Sequence, residues 1–208
     1  LREDTDGVAT LTLNRPRQLN SLSESMLEAL HDILENIGAD QTVRVVVITG
    51  SGRAFSTGHD LKQVRARPDE PYYQRLFASS SALMLRIQKL PQPVIARVNG
   101  IATAAGCQLV ATCDLAIASE NATFAVSGIN HGLFCSTPSV ALSRNVSRKQ
   151  AFEMLFTGEF IDAGEALDKG LVNQVARENG LDDAVAALCT KITAKSRVAV
   201  ETGKRMFY

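Results

Sequence analysis

The sequence predicts an α/β protein in which a largely parallel sheet is covered on the outside by helices. Residues 43–49 and 94–98 are rich in β-branched residues and almost wholly apolar, as in strands that are buried on both faces. Segments with helical periodicity stand between and after these strands, and such alternation is typical of βαβ units. With 208 residues, the chain has the length of one domain.

The chain begins with a predicted strand and a predicted capped helix. Residues 8–13 (VATLTL) alternate between apolar and polar side chains, which indicates a half-buried strand. The hydroxyl of Ser21 and the carboxylate of Glu24 fit a capping box with Ser21 at the N-cap. We therefore expect an amphipathic helix to start there and to end near Gly38.

The rest of the chain continues the alternation of strands and helices. Residues 65–73 are polar and contain proline, which predicts a loop, and residues 81–90 predict the end of a long helix. Further elements are expected as helices at residues 104–112, 148–156, 163–169, 181–195 and 196–208, and as strands at residues 114–118, 123–125 and 172–176. We expect a core over residues 1–180, with residues 181–208 starting a C-terminal helical region that is incomplete here.

The composition excludes several classes of protein. Lys and Arg total 22, as do Asp and Glu, so the formal net charge is zero. This balance argues against nucleic-acid and membrane-surface partners, which usually require an excess of basic residues. No apolar run approaches the ~18–20 residues of a membrane span. The four cysteines form no C-x-x-C pair, so we expect free thiols and no metal site.

A dinucleotide-binding fingerprint fails at its third glycine. Gly50 and Gly52 follow a predicted buried strand, but Phe55 stands where the fingerprint requires glycine. The bulk of phenylalanine would prevent the close helix–strand packing that this glycine permits. The sequence therefore does not favour a nucleotide-dependent oxidoreductase.

Two loops at strand ends are the best candidates for a functional site. Residues 53–62 (RAFSTGHDLK) and 99–114 (NGIATAAGCQLVATCD) contain small residues that let backbone N–H groups approach a ligand. The second loop leads directly into a helix, whose first N–H groups lack partners within the helix. Two converging N–H groups form an oxyanion hole, although small residues also serve plain helix–sheet packing. The residues alone leave both readings open.

A family resemblance favours the first reading. The segments that carry it are residues 15–16, 20–22 and 45–50, AFSTGHDLK, PVIARVNG, AAGCQLVATCD, FTGEFIDAGEA and GLVNQV. In this order and spacing they resemble the crotonase (enoyl-CoA hydratase/isomerase) superfamily, in particular its enoyl-CoA hydratase domain-containing proteins. The resemblance implies a ClpP-like spiral of ββα units, a homotrimer or a dimer of trimers, and an acyl-CoA ligand with no separate cofactor.

The same resemblance implies which residues bind the ligand. The thioester carbonyl of such ligands is held by two backbone N–H groups, which correspond to His59 and Ala105. His59, Asp60, Leu61 and Lys62 would line the path of the CoA adenine and pantetheine. We expect the His59 backbone, rather than its ring, to contribute.

This chain departs from the hydratase pattern at both catalytic glutamates. Gln108 stands at the first position and Gly128 at the second. Glutamine can orient water but cannot accept a proton at neutral pH, and glycine can do neither. The carboxylate that isomerases of the family keep near the second position is also absent. Substitutes could come from His131 or Ser136, and less readily from Cys107 or Cys135 as a thioesterase nucleophile.

Three hypotheses follow from these residues. The chain is an acyl-CoA enzyme of weak or altered activity, an acyl-CoA-binding pseudoenzyme or regulator of fatty-acid metabolism, or an assembly subunit without a ligand. Because packing alone would not require both loops, their retention favours the first two. The resemblance implies the cytoplasm for a bacterial chain and the mitochondrial matrix for a eukaryotic one, in which case a targeting segment is missing here.

Overall fold

The computed structural model describes residues 1–208, which form two sheets, nine α-helices and three short 3-10 helices. The strands are β1 (Arg2–Thr5), β2 (Val8–Leu13), β3 (Val45–Gly50), β4 (Ala54–Ser56), β5 (Val94–Val98), β6 (Ile101–Thr103), β7 (Leu115–Ser119), β8 (Thr123–Ala125), β9 (Ile161–Asp162) and β10 (Gln174–Ala176). The α-helices are α1 (Glu24–Ala39), α2 (Leu61–Ala66), α3 (Glu70–Lys89), α4 (Ala105–Thr112), α5 (Ser136–Leu142), α6 (Arg148–Thr157), α7 (Ala163–Asp168), α8 (Leu181–Thr193) and α9 (Arg197–Phe207). The 3-10 helices are Pro16–Gln18, Ser127–His131 and Glu178–Gly180.

The sheets are connected by a repeated ββα unit. The six-stranded sheet has the order β1-β2-β3-β5-β7-β10, and the four-stranded sheet has the order β4-β6-β8-β9. Three times the chain leaves the larger sheet (β3, β5, β7), enters the smaller one (β4, β6, β8) and continues into a helix. All pairings in the larger sheet are parallel except β1 with β2. The predicted α/β class with spiral ββα units is therefore confirmed.

Helices bury both faces of the larger sheet. The main apolar cluster includes α1, α3 and α4, and the six residues of β3 are all buried. On the other face, α8 packs Leu181, Val185 and Cys189 against side chains of β3, β5 and β7. The division of the chain into a core of residues 1–180 and a C-terminal helical region from residue 181 stays a prediction. No helix of the chain has the length and apolarity needed to cross a membrane.

Helix α1 begins two residues later than the capping-box prediction placed it. The N-cap is Ser23, whose hydroxyl accepts a hydrogen bond from Met26 N–H at 3.2 Å. The residue before it, Leu22, pairs instead with the loop at His59, as an isolated parallel bridge. Ser21 thus lies in a segment that a tertiary contact holds extended, and a local motif could not reveal this.

The loop predicted at residues 65–73 was wrong for most of its length. Helix α2 runs to Ala66 and α3 starts at Glu70. Asp69 caps α3 by accepting a hydrogen bond from Tyr72 N–H at 2.9 Å, and Pro71 lies in the first turn of that helix. An acidic cap followed by proline is a helix-start signal as well as a turn signal. The remaining predicted bounds lie within two residues of those observed.

Candidate functional site

The two loops singled out in the sequence lie in direct contact. Gly58 follows β4 with φ +81°, and a Cβ built on it would lie 2.9 Å from Ala105 N. Such a Cβ would also lie 3.1 Å from the Ala104 Cβ. A side chain at position 58 is therefore excluded by both space and backbone conformation. The glycine lets the first loop pack directly over the start of α4.

Each loop presents a backbone N–H group that no protein acceptor uses. Neither His59 N–H nor Ala105 N–H donates a hydrogen bond within the chain. Ala105 is the first residue of α4, where the N–H groups lack intrahelical partners and carry part of the positive end of the helix dipole. Gly106 fixes this end of the helix on β4, because a Cβ there would lie 2.1 Å from Ser56 O. The contact through Gly58 thus brings two free donors into one region.

Each of these donors directly follows a residue with positive φ. Gly58 precedes His59, and Ala104, with φ 51° and ψ −122°, precedes Ala105. A non-glycine residue in such a conformation is strained and persists where surrounding contacts enforce it. The backbone at both positions is therefore held in a conformation that local preference alone would not select.

The His59 ring is enclosed beneath the first loop. It packs edge-to-face on Phe77 of α3, with 5.2 Å between ring centroids. Its Nδ1 is buried and makes no hydrogen bond. Burial lowers the pKa of His59 to about 4, because desolvation disfavours the charged imidazolium. The ring is therefore neutral at pH 7.

The other residues predicted along the CoA path differ in their availability to a ligand. The side chains of Leu61 and Lys62 are exposed at the start of α2. The Asp60 carboxylate is only 12% exposed and accepts hydrogen bonds from Arg15 Nη2 at 3.0 Å and Lys62 N–H at 3.1 Å. Burial acts to raise the pKa of Asp60, but these donors outweigh it and leave the pKa below its ordinary value. Asp60 is thus a fixed, ionised group within the protein.

Gln108 lies one turn into α4 and is 5% exposed. Its Oε1 accepts a hydrogen bond from the hydroxyl of Thr137 on α5 at 3.3 Å. Sequence reasoning did not find Thr137, since 29 residues separate it from Gln108 and only the packing of α4 on α5 brings the two together. The pair contains a hydroxyl and an amide and no group that accepts a proton at neutral pH.

Gly128 lies where a side chain does not fit. A Cβ on it would lie 2.6 Å from Leu133 O and 2.7 Å from Cys135 Sγ. Gly128 N–H itself donates to Cys135 Sγ at 3.3 Å. The segment from the 3-10 helix to the start of α5 thus folds tightly against this glycine. Introducing a glutamate there would require the segment to move.

The remaining candidate side chains are not arranged as an acid–base pair. His131 and Ser136 are both exposed, and the side chain in contact with Gln108 is Thr137. Burial, with a smaller contribution from neighbouring Cys135, raises the pKa of Cys107 to about 12. Burial also raises the pKa of Cys135. Both groups are protonated thiols at neutral pH, which argues against a cysteine nucleophile.

The chain is similar to known proteins along nearly its whole length. The family model described as enoyl-CoA hydratase/isomerase matches residues 3–208. The chain is 45% identical over 203 residues to rat enoyl-CoA hydratase domain-containing protein 3, mitochondrial, covering 98% of this chain and 68% of the relative. It is 35% identical over 209 residues to a probable enoyl-CoA hydratase of Mycobacterium tuberculosis, covering 97% of this chain and 73% of that protein.

Solved structures agree with the sequence matches. An enoyl-CoA hydratase of Mycobacterium smegmatis superimposes with a TM-score of 0.98 at 60% identity, covering all of this chain and 81% of that chain. Human enoyl-CoA hydratase domain-containing protein 3 superimposes with a TM-score of 0.97 at 45% identity, covering all of this chain and 82% of that chain. The feature that these structures share with the chain is thus the fold.

Proposed function

This chain belongs to the enoyl-CoA hydratase/isomerase family, and from that membership we propose that it binds acyl-CoA thioesters at the two loops. The N–H groups of His59 and Ala105 donate hydrogen bonds to the thioester carbonyl oxygen. The observation that carries this proposal is the contact at Gly58, whose added Cβ would lie 2.9 Å from Ala105 N. It brings the first loop to the free N–H end of α4, where an anionic oxygen is favoured.

Two such donors are suited to the charge that develops on a thioester oxygen. When a nucleophile adds to an enoyl thioester, or a proton leaves its α-carbon, negative charge moves onto the carbonyl oxygen. Donors fixed at that oxygen stabilise the charged state more than the neutral carbonyl. Removing one such donor in other enzymes costs about 3 kcal/mol. We assign to the exposed Lys62 ammonium a contact with the CoA phosphates, as a mobile point charge.

The chain offers no strong acid or base for proton transfer at Gln108 and Gly128, in contrast to the two well-placed N–H donors. Gln108 orients a water or a substrate group through its amide, with its Oε1 held by Thr137 at 3.3 Å. Gly128 supplies no side chain, and its surroundings leave no room for one. General acid–base catalysis typically contributes about 10²–10⁴-fold, so hydration should be slow or replaced by a reaction that needs no strong base. We therefore propose an enzyme of weak or altered activity, with Gln108 in contact with the substrate.

A non-catalytic acyl-CoA-binding protein, acting as a regulator of fatty-acid metabolism, is the alternative. The tight packing of Gly128 against Leu133 O and Cys135 Sγ favours it, because the region of a second catalytic group is occupied by the protein itself. Neither His131 nor Ser136 is hydrogen-bonded to Gln108, whose amide oxygen accepts from Thr137 instead. This alternative keeps the binding mode and differs only in turnover.

The binding proposal is tested with two ligands that differ at one group. A saturated acyl-CoA is compared by calorimetry with its S-alkyl thioether analogue, which has the same chain length but no carbonyl oxygen. Two hydrogen bonds of about 1 kcal/mol each predict that the thioester binds roughly 30-fold more tightly. Equal affinities would place the carbonyl away from the two N–H groups. The design leaves the protein unchanged.

Turnover is tested by following the loss of the conjugated absorbance of a short trans-2-enoyl-CoA. We expect hydration to be far below the ~10 s⁻¹ typical of enzymes. Gln108→Glu should raise the rate by supplying one carboxylate, and Gln108→Met serves as the control of similar size. Wild-type turnover near the typical rate would overturn the role given to the two missing glutamates and direct attention to His131 and Ser136.

The oligomeric state is proposed from the assembly that family membership implies and from the exposed apolar side chains of the chain. We propose a homotrimer, or a dimer of trimers, because several large apolar side chains lie exposed on and around α5 and α6. They are Leu133, Phe134, Val140, Phe152, Phe156 and Phe160. The mass of the particle in solution tests this oligomeric state.

Vertebrate relatives are named mitochondrial, so we propose the mitochondrial matrix for a eukaryotic chain and the cytoplasm for a bacterial one.

A further inference from the structure

The peptide that carries the His59 N–H is held on both sides by one residue, Leu22. Leu22 N–H donates to Gly58 O at 2.7 Å, and Asp60 N–H donates to Leu22 O at 3.3 Å. The Asp60 side chain is joined back to the same segment, since Arg15 Nη2 contacts its Oδ2 at 3.0 Å. Arg15 Nη1 also donates to Ser21 O at 3.0 Å. Residues 15–22 therefore contact the loop on both sides of His59.

The segment that makes these contacts is itself strained and heavily bonded. Leu19 and Asn20 both have positive φ, at 50° and 54°, a conformation that is costly for leucine. The Asn20 side chain donates to Ser51 O at 2.9 Å and Ala54 O at 2.7 Å. Asn20 Oδ1 accepts from Arg15 N–H at 2.9 Å. Strain of this kind persists where many contacts impose one geometry.

We propose that the Arg15–Asp60 ion pair is a positioning device that fixes the direction of the His59 N–H toward the ligand. The inference rests on the proposed function, since it assigns a role to that donor. Arg15 belongs to the same segment as Leu22, and its guanidinium contacts Asp60, the residue that follows His59. The contacts of Leu22 and of Arg15 thus form a ring around the donor. Neither Arg15 nor Asp60 touches the substrate in this role.

A direct ligand contact by Asp60 is disfavoured by its surroundings. Its carboxylate is 12% exposed, and both of its oxygens have partners, Arg15 Nη2 and Lys62 N–H. A carboxylate that faced the CoA phosphates would also repel them. The ion pair links the first loop to Arg15, which lies 45 residues earlier in the chain. Such a link fixes the position of the loop relative to residues 15–22.

The test measures the preference for a carbonyl oxygen rather than affinity alone. Asp60→Asn keeps an oxygen for the Lys62 N–H but removes the charge that Arg15 binds. We expect the ratio of acyl-CoA affinity to S-alkyl-CoA affinity to fall about fivefold or more, with thioether affinity nearly unchanged. Asp182→Asn serves as the control, because it breaks the ion pair between Asp182 on α8 and Arg97 on β5, and it should leave the ratio unchanged.

Further variants separate positioning from simple stability. Arg15→Gln should lower the ratio as Asp60→Asn does, and the double variant should be no worse than either single one. If wild-type protein prefers the thioester and both single variants keep the full preference, the positioning role is refuted while the proposed function stands. An equal loss for both ligands would also refute it, by indicating ligand contact or a general disturbance. If wild-type protein shows no preference, the proposed function itself fails.

Discussion

The strained conformation of Ala104 predicts that replacing it with glycine stabilises the protein. Ala104 has φ 51° and ψ −122° at the N-cap of α4, a region that non-glycine residues occupy at a cost of about 1–3 kcal/mol. Glycine removes this cost but makes the unfolded chain more flexible, which costs about 0.4–1 kcal/mol. The expected net gain for Ala104→Gly is therefore about 1 kcal/mol.

The assay is thermal unfolding of the purified variant and wild type under the same conditions. For a chain of this size, about 1 kcal/mol corresponds to a rise in Tm of about 2–4 °C. Ala105→Gly is the matched control at the next position. Ala105 begins α4 without a positive φ and is 2% exposed, so its loss should destabilise by about 1 kcal/mol. A lower Tm for Ala104→Gly than for wild type would show that the strain argument is incorrect.

Three other predictions concern sites of close packing and buried charge. Gly128→Ala should destabilise by about 1–3 kcal/mol in urea unfolding, since its Cβ would meet Cys135 Sγ at 2.7 Å; a neutral effect would contradict the described packing. Lys204→Met should cost about 3 kcal/mol, because Lys204 Nζ lies 2.6 Å from Asp114 Oδ2 and only 7% of its side chain is exposed; wild-type stability would refute this. His59 binds a proton near pH 6.5 when unfolded but only near pH 4 when folded, so the free energy of unfolding should decrease by up to about 3 kcal/mol as pH falls through that window. His59→Gln should remove this dependence, and an unchanged pH profile would assign it to other groups.

The periodic and apolar segments made most of the fold predictable. Residues 94–98 are apolar except for Arg97, because β5 lies between two parallel neighbours. Their composition therefore predicts their burial. The capped start of α1 was misplaced because Leu22 pairs with His59, which is a contact between distant parts of the chain. Local motifs carry no information on such pairings.

The candidate site was predictable only where backbone groups form it. The two loops were found from small residues at strand ends, and the resemblance supplied the roles of His59 and Ala105. The contact of Thr137 with Gln108 depends on how α4 and α5 pack, and the obstruction at Gly128 depends on the path of a neighbouring loop. The sequence indicated a missing carboxylate at Gly128, but it could not show that the space is filled.

The attachment of α9 has a consequence for how the protein opens. No residue of this helix is fully buried, and the helix is held by polar contacts, chiefly from Lys204 Nζ to Ile87 O, Gln92 O and Asp114 Oδ2. An element with so little apolar burial has few other contacts to hold it once the polar ones break, and such elements detach in local opening events below the global free energy of unfolding. In native-state hydrogen exchange, the amides of α9 should therefore exchange earlier than those of α8, as a separate cooperative unit that leaves both sheets intact.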